Sequence, residues 1–363
     1  MAALGTLELN NIHQGDCVEL LKRIPDNSVD LIFADPPYNL QLNGDLFRPD
    51  TSKVDAVDDE WDKFDSFAEY DRFTNQWLTE CHRVLKPTGS IWVIGSYHNI
   101  FRVGTALQNI GFWILNDIIW VKTNPMPNFK GTRFNNAHET LIWATKSQSS
   151  KFTFHYHSMK VMNDDLQMRS DWVIPICQGN ERIKVNGMKA HSTQKPEELL
   201  YRVLISSSNP GDIVLDPFSG SGTTAAVAKR LGRNYIAFER DEFYISVARE
   251  RLEKITTVQK EMTGYPIENR IPKVPFNSLI VKDYVRVGEC LYSKDGTISA
   301  VVNADGTLVS NGFVGSIHKV SAHVLKKSNN NGWSFWYVKR DNVLISIDAL
   351  RYEYEEKYNK SVI

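Results

Sequence analysis

Asp35-Pro36-Pro37-Tyr38 directly follows an apolar run over 29–34. A buried strand that ends in such a turn presents a carboxylate, prolyl carbonyls and an aromatic ring together. An exocyclic amino group on a nucleobase suits that set. Its N–H groups need acceptors, and its ring needs a stacking face. A proline-rich turn after a strand is also common, so the tetrapeptide alone leaves both readings open.

A second constellation lies far along the chain. Asp216-Pro217-Phe218-Ser219-Gly220-Ser221-Gly222-Thr223 follows a short apolar run and opens a helix pattern. Gly220 and Gly222 permit a tight turn and close approach of backbone to a ligand. The amides at the helix start would face an anionic group. Glu239 ends the next strand pattern, 23 residues after Asp216. That spacing is near the ~20 residues at which an acidic side chain meets ribose hydroxyls in nucleotide folds. No Lys follows Gly222, which argues against a phosphate-gripping loop. The pair points to a ribose-bearing cofactor.

The elements that must carry these groups alternate. Strand patterns fall at 29–34, 90–94, 112–121, 140–144, 213–216 and 234–239. Several are continuous apolar runs, as expected for a sheet covered on both faces. Helix patterns cover 66–85, 197–207, 222–231 and 242–255, and Pro87-Thr88-Gly89 should break the first. The alternation predicts a doubly wound α/β sheet over 1–257. A linker is expected over 258–271. A small β-rich domain is expected over 272–363, with turn signals at Asp295-Gly296, Asp305-Gly306 and Asn311-Gly312 and a closing helix over 347–358.

Both motifs, in this order, resemble those of the amino-methyltransferases of DNA. That family carries an Asp/Asn/Ser-Pro-Pro-aromatic turn on one strand end and a Phe-x-Gly-x-Gly-type loop on the neighbouring one. The turn precedes the loop here, which is similar to the permuted β group of adenine-N6 methyltransferases. Long segments are similar to the cell-cycle-regulated adenine methyltransferases of alphaproteobacteria: GDLFRPDTSKVDAVDDEWDKF (44–64), IWVIGSYHNIFRVG (91–104), NPMPNFKGTRF (124–134), HSTQKPEELLYRV (191–203), GSIHK (315–319) and NGWSFW (331–336). The resemblance implies methylation of adenine in GANTC sites of duplex DNA, with S-adenosylmethionine as donor. It further implies a Rossmann-like methyltransferase sheet in permuted motif order, a homodimer, and a cell-cycle role with no partner restriction enzyme.

Site residues follow from the motifs. Asp35 and the Pro36 carbonyl would each accept one N6–H bond, and Tyr38 would stack on the extruded base. The bland alternative for Tyr38 is a turn-packing aromatic. Asp216, Phe218, Gly220, Gly222 and Thr223 match the cofactor loop, and Glu239 would bind the ribose. The resemblance adds Asp16 and Cys17 near the cofactor adenine and Lys195 near its methionine part. Cys17 could equally be a buried small hydrophobe, and Lys195 an exposed helix-start lysine.

For DNA, Arg48, Lys122, Asn124, Lys130 and Arg133 are candidates in two polar stretches. The acid-rich run 55–60 is read as a contact to another subunit. Residues 271–340 carry nine Lys/Arg against four Asp/Glu, with Ser316, His318, Lys319, Asn331 and Trp333 among them. Asn and Ser can read base edges and Trp can stack on an unpaired base. A solvated basic face over a small β core would look the same.

Composition bounds these readings. The formal net charge of the 363 residues is −1, so any nucleic-acid surface must be local. The four cysteines are scattered with no CxxC pair, which suits reduced thiols and no structural metal. No apolar stretch approaches the ~20 residues of a membrane helix. The expected compartment is the cytoplasm, at the nucleoid. Competing readings are a cytosine-N4 methyltransferase, a methyltransferase for RNA or protein glutamine, and a non-catalytic DNA-binding regulator.

Overall fold

The computed structural model describes residues 2–40, 62–128, 131–191, 193–257, 274–341 and 343–358. The chain divides into two compact units, Met1–Ile267 and Glu268–Ile363.

The first unit begins with a hairpin of β1 (Ala3–Leu4) and β2 (Leu7–Glu8). Then follow β3 (Asn11–Gln14), α1 (Cys17–Leu21), β4 (Val29–Ala34), α2 (Phe67–Val84), β5 (Leu85–Gly95) and α3 (Ile100–Ile110). Next come β6 (Trp113–Lys122), β7 (His138–Thr145), α4 (Tyr156–Val161), β8 (Asp171–Ile174) and a second hairpin, β9 (Lys184–Val185) with β10 (Met188–Lys189). The unit closes with α5 (Glu197–Ser207), β11 (Ile213–Asp216), α6 (Thr223–Arg230), β12 (Asn234–Glu239) and α7 (Glu242–Glu253). Eight strands form one sheet in the order β3-β12-β11-β4-β5-β7-β6-β8. It is parallel from β3 to β5. β7 runs antiparallel to both neighbours, and β8 pairs parallel with β6.

The continuous apolar run of β4 is explained by burial on both faces. Leu31 and Phe33 pack with Leu199, Leu200 and Ala226. Ile32 and Ala34 face the other way, into the cluster with Trp77, Leu78 and Leu107. Helix α2 is capped by Ser66, whose hydroxyl accepts from the Glu69 amide, and it buries Tyr70, Thr74, Trp77, Leu78, Cys81 and Val84. It ends before Pro87-Thr88-Gly89 as expected. Those three residues lie within β5, where the register jumps from Val29↔Leu85 to Leu31↔Ser90. Such a bulge is where a strand tolerates Pro and Gly.

The chain leaves β11 through α6 toward β12, and leaves β4 through α2 toward β5, on opposite sides. The crevice at the carboxyl ends of β4 and β11 is therefore a topological switch point, where open α/β sheets bind ligands. Asp35 follows β4 and Asp216 ends β11, so the sheet brings the two sequence motifs together.

In the second unit six antiparallel strands pair in the order β16-β15-β14-β13-β17-β18. They are β13 (Cys290–Tyr292), β14 (Ser299–Val302), β15 (Leu308–Ser310), β16 (Phe313–Gly315), β17 (Tyr337–Arg340) and β18 (Val343–Ser346). Asn311 (φ 48°) and Gly312 (φ 78°) make the two-residue hairpin loop between β15 and β16. Helices α8 (Phe276–Val281), α9 (Ile317–Val324), α10 (Gly332–Phe335) and α11 (Ile347–Tyr358) cover a core that includes Leu291, Val320, Trp333 and Trp336. No helix among the described residues is long and apolar enough to cross a membrane.

Candidate active site

The turn after β4 is held at several points. The Asp62 carboxylate accepts from the amides of Tyr38, Asn39 and Leu40. The Pro37 carbonyl accepts from Tyr70 Oη at 2.9 Å and from Asn99 Nδ2. Tyr38 Oη donates to Glu139 Oε2 at 2.9 Å, and Glu139 Oε1 pairs with Lys122 Nζ at 2.7 Å. On the other side Lys195 Nζ reaches Asp35 Oδ2 at 2.6 Å and stands 5.2 Å from the Tyr38 ring centre. Two carboxylates and two ammonium groups thus enclose one phenol.

Electrostatics follow from this burial. Desolvation raises the Asp35 carboxyl above its ordinary range, against the pull of Lys195. Burial alone would lower Lys195, but Asp35 and Glu139 hold its ammonium above the ordinary value. Burial would likewise raise Glu139, but Lys195 and Lys122 hold it below the usual carboxylate range. The Tyr38 hydroxyl is kept protonated by burial and by the carboxylates Asp35 and Glu139, so it stays a donor.

The glycine loop forms the other half. Asp216 Oδ1 accepts from the Phe218 amide at 2.9 Å, and burial pushes its carboxyl up to about 7. Phe218 is fixed edge-on against Trp77 and Phe73. Gly220 and Gly222 have φ of 50° and 76°; a Cβ would come within 2.9 Å of His191 Nε2 and 2.8 Å of Ala248 Cβ respectively. Both positions therefore need glycine. Glu239 accepts from the amides of Gly220, Arg240 and Asp241. A carboxylate has about four lone-pair sites, so capacity for a hydroxyl remains. Asp16 caps α1 and pairs with Arg240 at 2.8 Å. Cys17 is buried and its thiol is pushed up to about 12 by burial, which makes it an inert small hydrophobe. The Thr223 hydroxyl is committed inside the fold, between Arg251 and the Lys195 carbonyl.

Both halves open on one cleft of about 680 Å³, lined by Asp16, Asp35, Pro36, Tyr38, Lys195, Asp216, Phe218, Gly220 and Glu239 together with His191, Gln194 and Tyr244. A DNA methylase family model matches residues 29–250, and a model described as Restriction Enzyme Adenine Methylase Associated matches residues 256–360. The chain belongs to the N6/N4 DNA methyltransferase family. Type II methyltransferase M.HinfI of Haemophilus influenzae is 55% identical over 347 residues, spanning 95% of this chain and 97% of that protein. M2.LlaDCHI of Lactococcus lactis subsp. cremoris is 43% identical over 243 residues, spanning 67% and 88%. The solved structure of the M1.HpyAVI–SAM complex is 27% identical, covers 67% of this chain and 98% of that one, and has a TM-score of 0.50. The cytosine-N4-specific PvuII methyltransferase, 23% identical with a TM-score of 0.53 over 69% and 89% of the chains, shares the fold.

This DNA methyltransferase uses S-adenosylmethionine, and the residues present fit that donor. Carboxylates at Asp16, Asp216 and Glu239 suit its positive sulfonium and ammonium groups and its hydroxyls. Ser219 Oγ in the loop is buried with no hydrogen-bond partner among the described residues. Gly220 leaves room that a side chain would close.

Several sequence expectations need correction. Lys195 is no exposed helix-start lysine: its side chain is 8% exposed, it pairs with the turn, and it lines the same cleft as the loop. Lys122, expected at phosphate, is 11% exposed and neutralised by Glu139. Asn124 is spent within the protein, accepting from the Ile176 amide and donating to Gln178. Arg133 is exposed and donates to Tyr97 Oη at 2.7 Å. Arg48, Lys130 and the 55–60 run lie outside the described residues.

In the second unit Trp333 is buried against Phe276, with the Arg351 guanidinium 4.3 Å from its ring centre, so it cannot stack on a base as it stands. Ser316 and Asn331 cap α9 and α10. His318 Nδ1 accepts from the Gly332 amide, which leaves Nε2–H as a donor on an exposed side chain beside exposed Lys319.

Sequence reading missed Asp62, Glu139 and Tyr70. Asp62 lies in the 44–64 segment and Tyr70 in the 66–85 helix pattern, but nothing local ties either to the turn, and Glu139 lies just outside the 140–144 strand pattern. His191 lay in a segment already singled out. Its ring rests 4.5 Å from that of Tyr244, and burial depresses it to about 4.

Proposed function

We propose that this chain methylates N6 of an adenine swung out of duplex DNA. The observation that carries the reading is the arrangement at the turn. A carboxylate paired with a buried ammonium, a prolyl carbonyl and a half-buried phenol ring meet at the rim of the donor cleft. Bound S-adenosylmethionine supplies an electrophilic methyl group on a sulfonium. The chain's part is positioning and electrostatics.

Asp35 and the Pro36 carbonyl accept the two N6–H bonds and aim the nitrogen lone pair at the methyl group. The amine becomes acidic only as it is methylated, so Asp35 first orients and then receives the proton. Tyr38 gives the base a stacking face worth ~1–3 kcal/mol. The Asp35 carboxylate, where cytosine-N4 enzymes usually have Ser, supports adenine over cytosine, as does the family description of residues 256–360. Intact acceptor and donor motifs speak against a non-catalytic regulator.

GANTC as target, and action as a homodimer, rest on the resemblance. So does a cell-cycle role at the nucleoid without a partner restriction enzyme. The relatives' names support a second reading, service as a type II methyltransferase. Labelled donor with duplex oligonucleotides, followed by mapping of the modified base and its context, tests the activity. Label on cytosine, or none, would sink it. Methylation that tracks replication in synchronised cells would favour the cell-cycle reading.

A further inference from the structure

The turn Asp35–Tyr38 is loop backbone, yet methyl transfer asks for tight placement of its groups. A displacement of about 1 Å can cost on the order of 10²-fold in rate. Asp62 and Tyr70 fix its backbone, at the Tyr38 amide and the Pro37 carbonyl. The hydroxyl at the ring's tip donates to Glu139 and also lies beside the Asp35 carboxylate, which belongs to the turn itself and so cannot anchor it from outside.

Glu139 is carried by β7, which pairs antiparallel on both sides, with Glu139 opposite Trp120 on β6. Its anchor Lys122 ends β6 and stands 5.3 Å from the Trp120 ring centre. Both side chains are nearly buried, at 12% and 11% exposed, and Glu139 does not line the donor cleft. The ion pair is thus mounted on paired strands and presents one acceptor oxygen, Oε2, to Tyr38 Oη at 2.9 Å. A buried ion pair is weak support for stability, since apolar residues of similar volume often replace it without loss. Its placement under the phenol calls for another account.

We propose that Glu139, anchored by Lys122, is a positioning residue that fixes the Tyr38 ring through its hydroxyl and so sets the pose of the target base. The inference rests on the reading of Tyr38 as the stacking face. Glu139 acts only as a hydrogen-bond acceptor. The anchor holds that acceptor in line and cancels its charge.

Five variants test this by single-turnover methylation, with DNA and donor affinity and thermal unfolding measured alongside. Tyr38→Phe keeps the ring and removes the hydroxyl; it should lower the rate about tenfold with little change in either affinity. Glu139→Leu with Lys122→Met removes the acceptor and should lose about as much. Combining all three changes should be no worse than either alone. Glu139→Gln with Lys122→Met keeps a neutral acceptor and should recover most of the rate.

Multiplying losses, or a Gln variant as slow as the Leu variant, would overturn the inference. A wild-type rate in Tyr38→Phe would do the same even if the Leu variant did not fold. Tyr38→Ala separates the two levels. Full activity there removes the stacking reading itself. An inactive Tyr38→Ala beside a fully active Leu variant removes only the role of Glu139.

Discussion

Lys195 Nζ meets Asp35 Oδ2 at 2.6 Å across 160 residues of sequence, with 8% and 19% of the two side chains exposed. The pair joins a residue two positions before α5 to the turn after β4. It converts a strand-end carboxylate into a desolvated, charge-compensated acceptor. Water would otherwise compete for the same lone pairs.

Removing the ammonium should move the acid limb of activity. Burial raises the Asp35 carboxyl and Lys195 opposes that rise. In Lys195→Met the opposition is gone, so Asp35 stays protonated to higher pH, and an isolated buried carboxylate neutralises rather than stay charged. The prediction is a kcat–pH profile, read at saturating donor, whose acid limb lies at higher pH than in the parent. An unmoved limb would mean that Asp35 need not be ionised.

Stability should fall as pH rises through the Asp216 transition. Its folded carboxyl sits at about 7 against an ordinary 3.8, chiefly through burial. The raised value means that the folded state holds the proton more tightly. Its contribution is complete below about 3.8 and is lost progressively as pH climbs through about 7. Asp216→Asn mimics the neutral form and should flatten the dependence of the unfolding midpoint between about pH 3.8 and 7. A variant that keeps the parent's slope would exclude Asp216 as its source.

Glu239 ties the loop to β12 through the amides of Gly220, Arg240 and Asp241. Hydrogen bonds to a charged group are worth ~1.5–3 kcal/mol each. Glu239→Ala should therefore weaken donor binding on the order of 10–100-fold, the equivalent of one such bond. Titration calorimetry reads the dissociation constant directly. Unchanged affinity would place the donor's hydroxyls elsewhere.

The sheet was legible because β4, β11 and β12 are short apolar runs buried on both faces, which leave few alternatives to a strand. The cleft was legible from two motifs whose strand ends meet at the switch point. What stayed hidden are long-range partners. Nothing near Glu139 marks it, and the 44–64 segment that holds Asp62 does not point to the turn, because their roles are defined by a turn some 100 and 24 residues away. Lys122 and Trp333 misled for a related reason: Lys and Trp suit DNA on a surface, but here an acid neutralises one and a core absorbs the other. Helix α3 also escaped, although Ile100, Val103, Ala106 and Leu107 repeat at helical spacing before Gly111 ends it at φ 111°.

The second unit gives two kinds of variant with opposite signatures. Trp333 is 9% exposed in the core beside Phe276 and Arg351. Trp333→Ala should leave a cavity and destabilise this unit by ~3–5 kcal/mol. Any loss of DNA binding would then accompany unfolding and be regained at lower temperature. Lys319 and His318 are exposed on α9, where Lys319 can meet a phosphate. Lys319→Ala should leave the unfolding midpoint unchanged, weaken binding to specific and non-specific duplexes alike, and reduce the slope of log affinity against log salt by about 1. Fluorescence anisotropy across a salt series, paired with thermal unfolding, separates them. If Lys319→Ala left that slope untouched while Trp333→Ala lost binding in a fully folded unit, the ring would have to leave its core site to meet DNA, and the surface of α9 would not be the contact.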